Sequence, residues 1–327
     1  MFNENDIRPE SLMQKQKELY LQDIEDLVSQ KVFFVETSCP ACGSNDKIRK
    51  FKKYELDYQE CKVCETLYIS PRPTLDILED HYENSKHYRY WNDFIFPQSE
   101  HIRREKIFIP RVDTLIRITN ELNCDKDIVV EIGAGSGIFC KELKNRNTFK
   151  EIIAVEPNPV LAETCRNNGI TTIQNMIEGI NDLKANVIVG FEVIEHLFSP
   201  KEFLNMCFNN LKNNGILMLT CPNIKGFDMS ILEDISDEID AEHLNYFSLY
   251  SLSLLLEGVG FKIIETSTPG QLDTDIVKNK IMIGEYLIDE TNFIQKLVFN
   301  KEVSANFQKF LIDNKLSSNM MIIARKP

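Results

Sequence analysis

From Asp127 onward, short apolar runs alternate with amphipathic stretches, and no other feature of the 327 residues restricts the fold as much. The runs are IVVEIG (128–133), EIIAVE (151–156), VIVGFE (187–192), GILMLTC (215–221) and FKIIET (261–266). Helical spacing fills the intervals at 137–146, 158–168, 200–212 and 248–257. Apolar runs separated by helices predict an α/β fold with a doubly wound, mostly parallel sheet. A last apolar run, MMIIAR (320–325), predicts a closing antiparallel strand, with a helical insertion before it at about 270–316. Upstream, Leu12, Leu19, Ile24, Leu27 and Val28 recur at helical spacings and predict a helix over 11–30.

The first run leads into Glu131-Ile132-Gly133-Ala134-Gly135-Ser136-Gly137. Glycines at a strand-to-helix turn let the backbone approach a ligand closely. A dinucleotide fingerprint, GxGxxG, needs glycine at 138, but that residue is Ile138, so the pattern is GxGxG. Glu156 ends the second run, where a carboxylate can take both ribose hydroxyls of an adenosine-type ligand. Loop, strand context and strand-end acid together indicate a nucleotide-like cofactor.

Cysteine usage divides in two. Cys39 and Cys42 form one CxxC pair and Cys61 and Cys64 another, while Cys124, Cys140, Cys165, Cys207 and Cys221 are scattered. Two CxxC knuckles fit a tetrahedral zinc ion, and four protein thiolates leave no open position, so this Zn2+ is expected to be structural. A redox dithiol or plain core cysteines are the alternatives. The organisation that follows is an N-terminal helical extension (1–35), a zinc ribbon (36–75), a helical connector (76–125) and a catalytic domain (126–327).

Lys and Arg total 37 and Asp and Glu total 50, a net charge of −13 that argues against a broad grip on nucleic-acid phosphate. No stretch reaches the ~20 apolar residues of a membrane span, so no membrane insertion is expected. The start, MFNENDIRPE, is polar and has no apolar signal-like core. With an odd number of cysteines, this points to a reducing, cytoplasmic setting.

These motifs resemble the class I S-adenosylmethionine-dependent methyltransferases. VVEIGAGSG is similar to that family's first motif, AVEPNP to its second, FEVIEHLFSP to its fourth-strand motif and GILMLTCPN to its fifth strand and turn. The resemblance spans roughly 126–267 and implies a seven-stranded Rossmann-like sheet holding S-adenosyl-L-methionine. It places Glu131, Gly133, Gly135 and Gly137 along the methionine and ribose and Glu156 at the ribose hydroxyls. Asn175, Met176 and Ile177 fall near adenine, and Glu192 completes the cofactor set. With the CxxC…CxxC ribbon upstream and EHLNYFSLYSLSLLLEGVGF downstream, the chain looks like bacterial zinc-ribbon methyltransferases of sugar and surface-glycan pathways. That implies a sugar or nucleotide-activated sugar acceptor methylated on O, N or C. Oligomeric state is not legible.

Methyl transfer usually requires removal of a proton from the acceptor. Of the five histidines, His196 follows the fourth-strand motif and His243 lies in Ala241-Glu242-His243-Leu244. An imidazole with a pKa near ~6.5 suits a general base. The expected base is His243, with His196 positioning the substrate or sharing the task, and Glu242 orienting His243 or accepting a hydrogen bond from substrate. Either histidine could instead cap a helix or satisfy a buried carbonyl. Seven acids lie between Lys225 and His243, from Asp228 to Glu242, as a solvated loop or a lid. Tyr82, Tyr88, Tyr90 and Trp91 offer an aromatic wall over the acceptor, or core packing.

Lys47, Arg49, Lys50, Lys52 and Lys53 put a basic cluster on the ribbon, as a solvated face or a phosphate contact. The latter is the feature behind an alternative reading, an RNA-modifying methyltransferase. A third reading, an interaction module on a methyltransferase-like scaffold, conflicts with the intact Glu131, Gly135 and Glu156.

Overall fold

Strands form where the sequence is most uniformly apolar, and the elements around them are set by caps and turns. The computed structural model describes residues 2–176, 179–180, 182–289 and 291–327. Helix α1 (Glu10–Ser29) buries Tyr20, Ile24 and Leu27 on one face. Strands β1 (Lys47–Lys53) and β2 (Leu56–Cys61) form a hairpin that turns at Tyr54 and Glu55. Both turn residues have positive φ, 52° and 59°, the conformation that a two-residue hairpin loop needs. Strand β3 (Leu67–Ile69) pairs antiparallel with β2. Helices α2 (Leu75–Asn84), α3 (Lys86–Tyr90), α4 (Phe96–Arg103) and α5 (Ile109–Glu121) follow, with single π-turns joining the last three.

The repeated units come next: β4 (Ile128–Ile132), α6 (Ile138–Asn145), β5 (Glu151–Val155), α7 (Pro159–Asn167), β6 (Thr171–Ile173), β7 (Ala185–Phe191), α8 (Pro200–Asn210) and β8 (Leu211–Pro222). Helix α7 starts sharply because the Asn158 side chain accepts from the Val160 and Leu161 N–H groups, with Pro159 at the first position. The chain ends through α9 (Phe227–Leu232), β9 (Asn245–Tyr246), α10 (Leu249–Val259), β10 (Lys262–Ser267), α11 (Asp273–Met282), α12 (Phe293–Phe299), α13 (Lys301–Asp313) and β11 (Asn319–Arg325).

Seven strands make one sheet in the order β10-β11-β8-β7-β4-β5-β6. The pairs β7–β8, β4–β7, β4–β5 and β5–β6 are parallel, as the alternation predicts. Every residue of β7 is buried, which is why it reads as an unbroken apolar run. Lys326 exchanges backbone hydrogen bonds with Asn214 and Gly215, and Asn223 donates to Ser318 at the other end, so β11 closes antiparallel to β8. Two features were not foreseen. Strand β6 is three residues long and partly exposed, too short and polar to stand out as an apolar run. Helix α8 stops at Asn210 rather than 212, because buried Leu211 already pairs with Ala185 and the polar LKNNG stretch is the start of β8.

Residues 100–221, 252–266 and 322–327 form one compact unit, and residues 1–99, 222–251 and 267–321 another. In the latter, a four-stranded antiparallel sheet runs β1-β2-β3-β9. The ribbon therefore takes its last strand from Asn245 and Tyr246, which pair with Tyr68 and Leu67. Arg72, fully buried, braces this junction by donating to the Ile69 and Leu244 carbonyls and to Asn245 Oδ1. Among the described residues no helix is long and apolar enough to cross a membrane.

Candidate active site and metal centre

At the carboxyl end of β4 the glycine loop turns into α6. Gly135 (φ +55°) and Gly137 (φ +78°) adopt the left-handed conformation. A Cβ at Gly135 would meet nothing within 4 Å, whereas one at Gly137 would lie 2.9 Å from Cys165 Sγ. Glu156 holds the loop from the adjacent strand, accepting from the Gly135 N–H at 2.8 Å and the Asn158 N–H at 2.9 Å. Burial raises the Glu156 carboxyl, and those two N–H groups oppose the rise. Glu131 is buried beside Cys140, whose thiol donates to it at 3.0 Å. Burial pushes Glu131 up to about 8, despite opposing contributions from Cys140 and Arg111.

Glu192, just past β7, has φ +54° and accepts from Thr220 Oγ1 at 2.7 Å and from Arg111 Nη2 at 2.6 Å. Arg111 is buried, its guanidinium carbon 4.6 Å from the centre of the Phe191 ring. Of its five N–H donors only the one on Nη2 meets a hydrogen-bond acceptor among the described residues. Asn175 accepts from the Met176 N–H through its own side chain, and both residues are exposed. Ile177 lies outside the described residues. His196 follows in the same unit, its N–H donating to the Val193 carbonyl.

In the other unit, Cys39, Cys42, Cys61 and Cys64 gather with all four sulfurs within 4.8 Å of one another. Cys39 and Cys64 are 3.4 Å apart and Cys42 and Cys61 3.5 Å. A tetrahedral zinc with bonds of ~2.3 Å spaces its ligand sulfurs by about 3.8 Å, so the donor set fits. Each knuckle closes in the same way, Gly43 N–H on the Cys39 carbonyl and Glu65 N–H on the Cys61 carbonyl, both at 2.9 Å. Burial raises Cys61, but the N–H groups of Cys64 and Val63, together with the Cys42 and Cys39 thiols, outweigh it and hold the thiol below its usual value.

His243 lies in this same unit, beside Asp240. Its Nδ1 is 3.2 Å from Asp240 Oδ2. Glu242 is buried elsewhere, with Oε1 3.6 Å from His81 Nε2 and Oε2 3.7 Å from His87 Nε2. Helix α1 supports that cluster: Gln16 Nε2 meets His87 Nδ1 at 2.7 Å, and Asp23 accepts from the His87 N–H. Tyr82 donates to the Glu242 carbonyl, while Trp91 packs against His87 and Phe96. The acidic stretch is tied down as well: Asp228 is buried, Asp237 pairs with Lys280 at 2.7 Å, and Glu238 pairs with Arg8. On the ribbon, Lys47, Arg49, Lys50 and Lys52 pair with Glu36, Asp57, Glu60 and Glu55, and Lys53 donates to the Ser236 carbonyl.

A family model described as a methyltransferase domain matches residues 81–266, more than half of the chain. The chain belongs to this family. It is 23% identical over 202 residues to a ubiquinone biosynthesis O-methyltransferase of Bradyrhizobium diazoefficiens, covering 58% of this chain and 73% of that one. It is 27% identical over 153 residues to the C-methyltransferase NovU of Streptomyces niveus, covering 44% and 35%. The methyltransferase spans about a third of the length of two of the curated relatives it matches. A solved methyltransferase from Archaeoglobus fulgidus superposes with a TM-score of 0.47 at 19% identity, covering 72% of this chain and all of that one.

The crevice fits S-adenosylmethionine on its own chemistry. Gly135 leaves open space where any side chain would stand, Glu156 keeps lone pairs for hydroxyls, and Arg111 keeps unused donors. Arg111, Thr220 and Asp240 were not singled out from the sequence. Arg111 looks like the polar face of an amphipathic helix, and Asp240 is one acid among seven. No sequence spacing marks either, because their partners lie 81 residues away and three residues away in an irregular turn.

Proposed function

We propose that this methyltransferase acts on a sugar or nucleotide-activated sugar in bacterial surface-glycan biosynthesis, with His243 as the general base and a structural zinc in the Cys39–Cys64 cluster. The observation that carries the reading is the density of buried hydrogen-bonding side chains around one candidate base. His243 is held by Asp240, and the neighbouring Glu242 is set between two imidazoles. Such a surface suits a small acceptor rich in hydroxyls, and burial makes each unmatched group costly.

When bound, S-adenosylmethionine supplies an electrophilic methyl on a sulfonium. In this reading Glu156 takes the ribose hydroxyls, Arg111 receives the carboxylate of the methionyl end, and Glu192 faces its ammonium. Burial holds the Glu131 carboxyl up at about 8, which favours its protonated form. His243 takes the acceptor's proton, Glu242 accepts from an acceptor hydroxyl, and His196 positions the acceptor or shares the base role. The match to a C-methyltransferase and to an O-methyltransferase leaves the acceptor atom open. The RNA reading depended on the ribbon's cations, each of which is engaged by a carboxylate or a carbonyl.

The test is release of S-adenosylhomocysteine from purified protein offered a panel of nucleotide-sugars and, separately, structured RNA. Turnover with a sugar-bearing acceptor is expected, and turnover with RNA alone overturns the reading.

A further inference from the structure

We propose that Asp240 fixes the tautomer of His243, placing the ring proton on Nδ1 and the lone pair of the neutral ring on Nε2. The inference rests on the reading of His243 as the base and identifies the residue that prepares it. Nδ1 lies between two oxygens, 3.2 Å from Asp240 Oδ2 and 3.0 Å from the Glu238 carbonyl. A carboxylate and a carbonyl can only accept. An unprotonated Nδ1 would aim its lone pair at both; a protonated one donates to them. The hydrogen bond made by one ring nitrogen decides which form the other takes.

Asp240 cannot readily turn away. Its Oδ1 accepts from the N–H groups of Glu242 and His243, at 2.9 and 2.7 Å. Its carbonyl accepts from Tyr58 and Tyr246 hydroxyls at 2.6 and 3.1 Å, and its N–H donates to the Tyr246 hydroxyl at 2.9 Å. The Tyr246 ring meets the His243 ring edge-on, with centroids 5.9 Å apart. Oδ2 is thereby turned toward the imidazole, while the Glu242 carboxylate lies 3.6 and 3.7 Å from the His81 and His87 ring nitrogens. Asp240 is thus a positioning residue acting through His243. On methyl transfer Nε2 gains the acceptor's proton, the acceptor's electron pair forms the new bond to carbon, and sulfur keeps the pair of the broken S–C bond. The resulting imidazolium has its counter-charge at Asp240.

The test is long-range proton–nitrogen correlation on full-length protein labelled with nitrogen-15 at its five imidazoles, above the pH at which the ring titrates. The His243 signals are those lost in His243→Gln. The Nδ1–H tautomer is expected in large excess, and an Nε2–H majority in the unmodified protein overturns the proposal without any variant. Asp240→Asn keeps an oxygen for the two N–H groups and presents an amide donor to Nδ1. It should shift the ring toward Nε2–H and lower turnover by roughly 10²-fold or more, with affinity for S-adenosylhomocysteine retained. An unchanged tautomer in Asp240→Asn also overturns it. Full turnover in His243→Gln, with the Nδ1–H form still seen in the unmodified protein, would remove the base reading and leave Asp240's hold on the ring standing.

Discussion

Alanine at Gly135 and alanine at Gly137 make the same chemical change two residues apart, and the structure assigns them opposite consequences. Both positions have positive φ, which costs an L-residue about 1–2 kcal/mol. At Gly135 that is the whole folding cost, because the added Cβ meets nothing within 4 Å. At Gly137 the Cβ lies 2.9 Å from Cys165 Sγ and 3.8 Å from Cys165 Cα. The thiol cannot swing aside without losing its hydrogen bond to the Gly135 carbonyl. Overpacking of that kind adds about 1–3 kcal/mol. At ~3 °C per kcal/mol, the expected fall in Tm is about 3–6 °C for Gly135→Ala and about 6–15 °C for Gly137→Ala. Affinity should order the other way. In the proposed binding mode the cofactor passes through the open space at Gly135, so Gly135→Ala should weaken S-adenosylhomocysteine by tenfold or more, about 1.4 kcal/mol. Calorimetric titration and thermal unfolding read the two quantities on the same samples. Adding Cys165→Ala to Gly137→Ala should recover the overpacking part and leave the backbone part. Unchanged affinity in Gly135→Ala would refute the cradle.

Three further outcomes are expected. Glu131, raised by burial to about 8 from an ordinary 4.5, favours the folded state fully below about pH 4.5 and loses that contribution as pH rises through 8. Stability of the cofactor-free protein should fall by up to ~1.4 kcal/mol per pH unit across this window, and denaturant midpoints for Glu131→Gln should lack that slope. Glu156→Ala removes the charge-assisted hydrogen bond to the Gly135 N–H of the loop and the one to the Asn158 N–H, so cofactor affinity should drop about 10–100-fold by titration; full affinity would count against its role. Elemental analysis should find one zinc per chain and none in Cys61→Ser, whose turnover is lost because β3 and Arg72 brace the segment carrying His243. A metal-free wild type that turns over normally would exclude a structural zinc.

The legible parts of this molecule are those whose partners lie close in sequence or repeat with a period. Buried parallel strands such as Val187–Phe191 announce themselves, and each cysteine pair carries its own spacing. Glu131, Gly135 and Glu156 were readable because a strand-to-helix loop and the next strand end occur in a fixed order. Strand β6 was missed because pairing with β5, not apolarity, makes Thr171–Ile173 a strand. The surroundings of Glu242 were not legible for a related reason. Its neighbours are His81 and His87, about 160 residues upstream, and only the fold brings them beside it. Asp240 was hidden among acids of equal sequence weight, and its position is decided by Tyr58 and Tyr246.

The pairing of Leu67 with Tyr246 closes a loop of about 180 residues. Long loops form slowly, because chain entropy is lost before any contact repays it. During synthesis the ribbon's hairpin and both knuckles emerge first and can take up metal. Their sheet must then wait, one edge unpaired, until β4–β8 have been made and the chain returns with Asn245 and Tyr246. A zinc held there, as proposed, would be a placeholder in time, keeping a small, core-poor module folded while its last strand is still to be synthesised.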